Sequence, residues 1–352
     1  MFKRSHLVLL IVLIAAGLGL MAVRLAQTAP TPSPQTLQNG YETALERARN
    51  GLPGAARVLY QQLARDDLSS SRRARLYREL PNYPSPQALK LADGDLHHAA
   101  LVVRHAAIDA VTGLVPAAQL SLVLGPLLDD SEQSIRFQAT RALLGLSPDE
   151  LGLFFGRLQA VLDEYIQALE QTPDDSAAQL QLARLYLYDA DYPQAARALE
   201  RVQLLAPDNL EALAIRVQVM EKLGQGDAAR QMLAEQLQRN PQSAFLQHQL
   251  GLWLLAHDQG EYALLALAKA VELQGDNVEY RYRLATTLHD LEQVDAAQVQ
   301  LDEIVRQHPA NRRARVLLIQ YWKETGQLQN VQIRLAELEQ QNPDDPVLQQ
   351  GL

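Results

Sequence analysis

The sequence predicts an all-α chain in which a single N-terminal transmembrane helix is followed by an α-solenoid. Three observations carry that expectation. Pro173, Pro207, Pro241, Pro309 and Pro343 fall on one ruler, 34 residues or twice 34 apart, with Gly275 at the one mark that lacks proline. A fixed period of that size marks stacked supersecondary units, each burying its apolar face only against its neighbours. Residues 7–23 form an uncharged apolar run behind Lys3 and Arg4. Few aromatic residues, abundant Ala, Leu and Gln and only 18 glycines suit helices and leave almost no expected strand.

Residues 1–27 read as an uncleaved membrane anchor. The run at 7–23, at 1.5 Å per residue, spans about 25 Å as a helix, just enough to cross a bilayer. A cleaved signal peptide is the competing reading. Cutting after Ala29 would place Gln27 at the minus-three position with Pro30 just past the cut, and cutting after Ala26 would place Arg24 there, so the site is poor. Lys3 and Arg4 before the run against Arg24 after it put the N-terminus inside, which in a bacterium means a single-pass inner-membrane protein with its bulk in the periplasm. The absence of cysteine is compatible with an oxidising compartment. Residues 28–40 form a proline-bearing polar tether. Across 41–69, Ala44, Leu45, Ala48, Ala55, Val58, Leu59 and Leu63 suggest one or two amphipathic helices that cap the solenoid.

A weaker repeat occupies 70–150, with Arg72, Arg104 and Arg136 spaced by 32 residues. Around them run Arg72-Arg73-Ala74-Arg75-Leu76, Val103-Arg104-His105-Ala106-Ala107-Ile108 and Ile135-Arg136-Phe137-Gln138-Ala139-Thr140. The last two resemble HEAT repeats, and that resemblance implies an arginine meeting the acidic turn of a neighbouring repeat. Asp129-Asp130-Ser131 ahead of an apolar-periodic run is a helix N-cap signal in its own right. Residues 151–175, opening with Leu151-Gly152-Leu153-Phe154-Phe155, read as one continuous helix linking the two arrays.

Residues 176–345 hold five repeats starting at Ser176, Leu210, Ala244, Val278 and Arg312. Their second helices carry Ala195, Ala229, Ala263, Ala297 and Val331, followed four residues on by Leu199, Leu233, Leu267, Leu301 and Leu335, an i, i+4 stripe for burial. The first helices carry a small residue at Ala183, Gly251 and Ala285, where two helices must approach closely. Val217 and Ile319 depart there, and looser packing is expected of those repeats. Tyr186, Met220, Leu254, Leu288 and Trp322 fill the core three residues later. These residues resemble the tetratricopeptide repeat, which implies a right-handed superhelix of antiparallel helices with a concave face that binds proteins rather than performing catalysis. Residues 346–352 are left as a tail. With only Leu348 and Leu352 to offer, the tail is too short for an amphipathic capping helix, so homo-oligomerisation is expected as one way to cover the last repeat.

The order of the two arrays resembles, over about 70–345, the C-terminal half of periplasmic multihaem c-type cytochromes. The haem-binding half is missing: covalent haem needs Cys-x-x-Cys-His, and the chain has no cysteine. No cofactor is expected. Without Lys3, Arg4 and Arg24 the basic side chains fall from 32 to 29 against 41 acidic ones, a formal charge of −12, which argues against nucleic acid as a partner.

The usual groove positions of the repeat map to Leu180, Arg184 and Tyr188, then Ala214, Gln218 and Lys222, then His248, Leu252 and Leu255, then Tyr282, Thr286 and His289, and last Val316, Gln320 and Lys323. This mixed set suits an extended peptide or a partner helix, with simple solvation the bland alternative for each residue. It lacks the basic and asparagine set that clamps a C-terminal carboxylate. Asp93, Asp95, His97, His98 and His105 match no metal motif, and a polar loop explains them equally well. No phosphate loop or nucleophile constellation is present, so no metal site, no catalytic residue and no enzyme is expected. The expectation is a membrane-anchored periplasmic scaffold. The alternative is a non-haem subunit or assembly factor of a respiratory multihaem cytochrome or cytochrome-maturation complex.

Overall fold

A computed structural model describes residues 40–349, and every regular element among them is a helix. The anchor at 1–27 and the tether up to residue 39 lie outside the described residues. Among the described residues no helix is long and apolar enough to cross a membrane. Residues 44–349 belong to one compact unit, into which α1 (Gly40–Arg49) leads.

The first part of that unit contains α2 (Ala55–Leu63), α3 (Ser70–Tyr77), α4 (Pro86–Gly94), α5 (Leu101–Leu114), α6 (Ala117–Leu124), α7 (Gln133–Leu143) and α8 (Pro148–Leu151). Side-chain caps start two of these helices. Ser85 accepts from the Ala88 N–H with Pro86 in the first turn, and Ser147 and Glu150 form a reciprocal capping box. Arginines then tie successive helices together. Arg73 reaches Asp95 at 2.8 Å, Arg104 pairs with Asp130, and Arg136 pairs with Glu164 while donating to the carbonyls of Asp130 at 2.7 Å and Ser131 at 3.2 Å. The turn at 129–131 is therefore held by arginines from both sides. The first rung is Arg73 rather than Arg72, because the half-buried face of α3 carries Arg73 toward Asp95 while Arg72 stands exposed. The Arg104 and Asp130 side chains are only 10% and 8% exposed, so removing either partner would strand a shielded charge at a cost of about 3 kcal/mol.

α9 (Phe155–Glu170) follows, its Tyr165 ring stacked on Phe137 at 4.0 Å between centroids. The continuous helix expected over 151–175 is cut at both ends. Gly152 takes a φ of 52°, a conformation outside the right-handed helix, which ends α8 and leaves a short 3-10 turn at Gly152–Phe154. At the other end Pro173 disfavours helical geometry in the residue before it, and Asp175 caps the next helix.

Five antiparallel pairs come next: α10 (Ser176–Tyr188) with α11 (Tyr192–Leu205), α12 (Leu210–Lys222) with α13 (Gly226–Arg239), α14 (Ala244–Ala256) with α15 (Gly260–Leu273), α16 (Val278–Asp290) with α17 (Val294–Gln307), and α18 (Arg312–Glu324) with α19 (Leu328–Gln341). The first helices begin at the five residues from which the 34-residue count runs. Two further residues obey the same period. Asp175, Asn209, Ser243, Asn277, Asn311 and Asp345 each accept hydrogen bonds from the first turn of the helix they precede. Ala190, Gly224, Asp258, Glu292 and Gly326 turn the chain inside each pair with φ between 57° and 73°. Three of those five are not glycine and bear the left-handed strain.

Ala195, Ala229, Ala263 and Ala297 are fully buried, with Leu199, Leu233, Leu267 and Leu301 beside them. Leu335 stays half-buried. The helices of the first, third and fourth pairs lie close together, and a Cβ on Gly251 would stand 2.6 Å from Leu267 Cγ. The pairs carrying Val217 and Ile319 are splayed by comparison. A β-branched side chain at the crossing holds the backbones apart.

The end of the last pair is covered by the chain itself. Gly54 N–H donates to the Gln340 carbonyl at 2.7 Å, Asn342 Nδ2 donates to the Pro84 carbonyl at 2.7 Å, and a Cβ on Gly51 would meet the Pro309 carbonyl oxygen at 2.5 Å. Behind this seam Tyr60 donates to the Tyr83 carbonyl and Tyr83 to the Ala48 carbonyl, both at 2.6 Å. Burial pushes the Tyr60 hydroxyl up to about 12. Asp345 is fully buried, held by Arg312 at 2.6 and 2.7 Å, and starts the short α20 (Pro346–Gln349), whose Val347 is buried. The bare terminal surface that was the reason to expect homo-oligomerisation is thus occupied by residues 51–54 and 83–84.

Candidate functional site

First helices of neighbouring pairs, α10 with α12 and α12 with α14, approach one another directly, which places first helices on the inner side of the array. Their sequence-mapped groove positions divide into three groups. Leu180 and Ala214 are buried in the core, and Tyr188 packs against the cluster of Leu162, Tyr165 and Leu185, with burial raising its hydroxyl pKa. Leu252 is half-buried, and Leu255 packs against the cores of the third and fourth pairs. These residues hold the array together.

A second group makes polar contacts within helices and between pairs. Arg184 pairs with Glu211 of the next repeat and receives support from Gln181 at 3.2 Å. Thr286 donates to the Arg283 carbonyl at 3.0 Å. His289 stacks on Tyr321 at 3.9 Å with its Nε2 2.7 Å from Glu324, and that contact holds the Glu324 carboxyl below its ordinary range. Gln320 reaches the other oxygen of Glu324 at 3.1 Å. Tyr282 lies under the Arg313 guanidinium, 3.7 Å from ring centroid, and Arg313 reaches Glu279 at 3.1 Å. Arg313, Glu279 and Glu324 were missed from sequence. The first two occupy the second position of their helices, a place that counting from the helix start would have reached.

The third group is free to meet a partner. Gln218 and Lys222 are exposed, and Lys323 is half-exposed. His248 departs from the expectation of an open groove residue: it is 6% exposed and tilted against Tyr280 at 4.6 Å, and its Nε2 has no hydrogen-bond partner. Burial pushes its pKa below the ordinary 6.5, a shift partly opposed by Glu279 and reinforced by Arg283. The reason is geometric: Tyr280 of the next first helix lies over the imidazole.

Beyond these side chains, the inner face of the last two pairs is confronted by the chain's own N-terminal part. Tyr282, Val316 and Gln320 line a cleft of about 480 Å³ with Pro81, Asn82 and Gly113 on its other wall. Elsewhere, Asp95 is committed to Arg73 and Tyr77, His98 Nδ1 accepts from the Ala100 N–H at 2.9 Å, and His105 contacts Gln138, so the histidine and aspartate group does not converge. Among the described residues no three His, Asp or Glu side chains gather as metal ligands would.

No family model matches the chain. Over 97 residues it is 29% identical to a protein of Sinorhizobium fredii described as uncharacterized protein y4yS, a match covering 28% of this chain and 53% of that one. The match thus spans about half the length of that curated relative. Among solved structures it is similar to TTC0263, a thermophilic TPR protein of Thermus thermophilus, with 22% identity over 54% of this chain and 98% of the other and a TM-score of 0.40. It is also similar to YrrB, described as a TPR protein with an unusual peptide-binding site, with 19% identity, 53% and 96% coverage and a TM-score of 0.36. For MamA the values are 18% identity, 47% and 91% coverage and a TM-score of 0.37. No residue role is carried over from them.

Proposed function

We propose that the chain is a scaffold that holds an extended peptide or a partner helix against the inner face of its first three helix pairs. The observation that carries this reading is the intramolecular one. Pro81 and Asn82 stand across a cleft from Tyr282, Val316 and Gln320, so the chain's own proline-bearing segment already lies against the inner face of the last two pairs. The equivalent face of the earlier pairs, with Gln218 and Lys222 exposed, is left for another chain. The amide and the ammonium group there suit a peptide that offers polar side chains and backbone groups. The anchor expected at 1–27 would confine the scaffold to the periplasmic surface of an inner membrane.

A photo-crosslinking amino acid placed at Gln218 in the detergent-solubilised full-length protein tests this. Its captured partners are compared with those captured from Tyr262, which stands 66% exposed on a second helix. Partners captured at Gln218 and not at Tyr262 are expected, and the reverse would remove the reading. The order of the two arrays motivates a second reading, a non-haem subunit or assembly factor beside a multihaem cytochrome. Haem absorbance in the material captured at Gln218 would favour it over the general scaffold.

A further inference from the structure

The seam between residues 51–54 and the last pair encloses a cleft of about 290 Å³, lined among others by Gly51, Arg306, Arg315, Arg334 and Glu337. Arg315 is 2% exposed, yet it donates only one hydrogen bond, from Nη2 to the Pro309 carbonyl, and its Nε and Nη1 have no partner. The carboxylates nearby are already taken. Asp345 accepts from Arg312 and from the Val347 N–H, Glu337 accepts from Arg334 at 2.9 Å while Arg334 also reaches Asp302 at 2.6 Å, and Glu303 accepts from Arg306 at 2.8 Å. Arg315 therefore keeps two guanidinium nitrogens without an acceptor, shielded from water on a wall it shares with two more arginines. A buried guanidinium whose N–H donors lack acceptors is strongly unfavourable, and burial here pushes its pKa down against the pull of Glu337 and Asp345. An anion that fills the cleft removes that penalty with charge-assisted hydrogen bonds.

We propose that this cleft binds a small oxyanion, either a phosphate or a carboxylate group, on the free nitrogens of Arg315, with Arg306 at its mouth. Because Gly51 and Pro53 form the opposite wall, occupancy fastens the N-terminal helices onto the last pair. The test is thermal unfolding of the full-length protein at constant ionic strength, with chloride replaced stepwise by inorganic phosphate or by acetate.

A saturable rise in Tm is expected. A response to phosphate alone identifies a phosphate site, and a response to acetate alone a carboxylate site such as a peptide side chain would fill. Arg315→Met should abolish the response and melt no lower than wild type in chloride, because it removes buried donors that have no acceptor. Arg306→Gln, on an exposed side chain, should weaken the response several-fold without disturbing the fold. The proposal is overturned if wild type responds to neither anion, or if both variants keep the full response.

Discussion

The second and fifth helix pairs depart from the repeat in the same way, and the structure treats them differently. Each has a β-branched residue at the helix crossing, Val217 or Ile319, each turns through a glycine, Gly224 or Gly326, and each is splayed. Yet Ala212 and Val217 keep 9% and 7% exposure, whereas Ala314 and Ile319, at the equivalent positions, keep none. The second pair has a repeat on either side and still borders a cleft of about 550 Å³ lined by Leu213, Met232 and Arg239. The fifth has one repeat and, in place of a sixth, the seam formed by 51–54 and 83–84. In a solenoid a pair's tightness is thus set by what stacks on it as much as by its own crossing residue.

The largest effect should come from cutting the two crossing residues down. Ile319→Ala should cost about 4 kcal/mol and Val217→Ala about 1 to 2 kcal/mol in urea unfolding, since a tightly enclosed site cannot collapse around the cavity and a loose one can. One methylene accounts for only about 0.8 kcal/mol of that gap. Equal losses would erase the distinction between the pairs. Gly51→Ala attacks the seam instead. It forces a side chain into a φ of 56° with its Cβ 2.5 Å from the Pro309 carbonyl, and about 2 to 3 kcal/mol should be lost, with the fifth pair loosened most.

Acid offers a third way to separate the regions. His248, beside the loose pair, has its pKa pushed below 6.5 in the folded state, so unfolding binds a proton. Its contribution is fully present above about pH 6.5 and is lost as the pH falls below that value. Glu324, which ties the fourth and fifth pairs, has a depressed pKa, so its contribution is present above 4.5 and is lost only as the pH falls further. Between pH 6.5 and 5 the loss should therefore appear around the third pair and spare the fifth. His248→Phe should flatten it, and an unchanged pH profile in that variant would count against the assignment. The smallest expected effect is a gain: Ala190→Gly relieves a φ of 59° in the first pair and should add up to about 1 kcal/mol to its stability, read by the same urea titration.

How much of this was legible in the sequence follows from what is local. The 34-residue marks, four prolines and Gly275 ahead of the five pairs, located every first-helix start, because breakers and caps act within a few residues. Val217 and Ile319 announced their splayed pairs, because the side chain at a crossing sets how near two backbones come. The arginine spacing found Arg104 and Arg136 but missed Arg73 by one position, since α3 is too short for its register to be read from apolar residues. Gly152 was passed over inside an apolar run, and only its positive φ reveals the break. The seam was invisible: Asn342 with Pro84 and Gly54 with Gln340 are separated by hundreds of residues and carry no repeat signal. For the same reason the groove of the last two pairs read as open when the chain's own Pro81 and Asn82 stand against it. His248 was misread because its burial depends on Tyr280, a residue of the next repeat.

Native-state hydrogen exchange read by mass spectrometry compares the two pairs most directly, because each helix is followed separately within one full-length molecule. Amides of α12 and α13 should exchange faster than those of α18 in the wild-type protein, and Gly51→Ala should bring α18 to the rate of α12 while leaving the second pair unchanged. Exchange of α18 as fast as that of α12 in the wild type, or an α18 indifferent to Gly51→Ala, would contradict the conclusion that the N-terminal helices stand in for a sixth repeat.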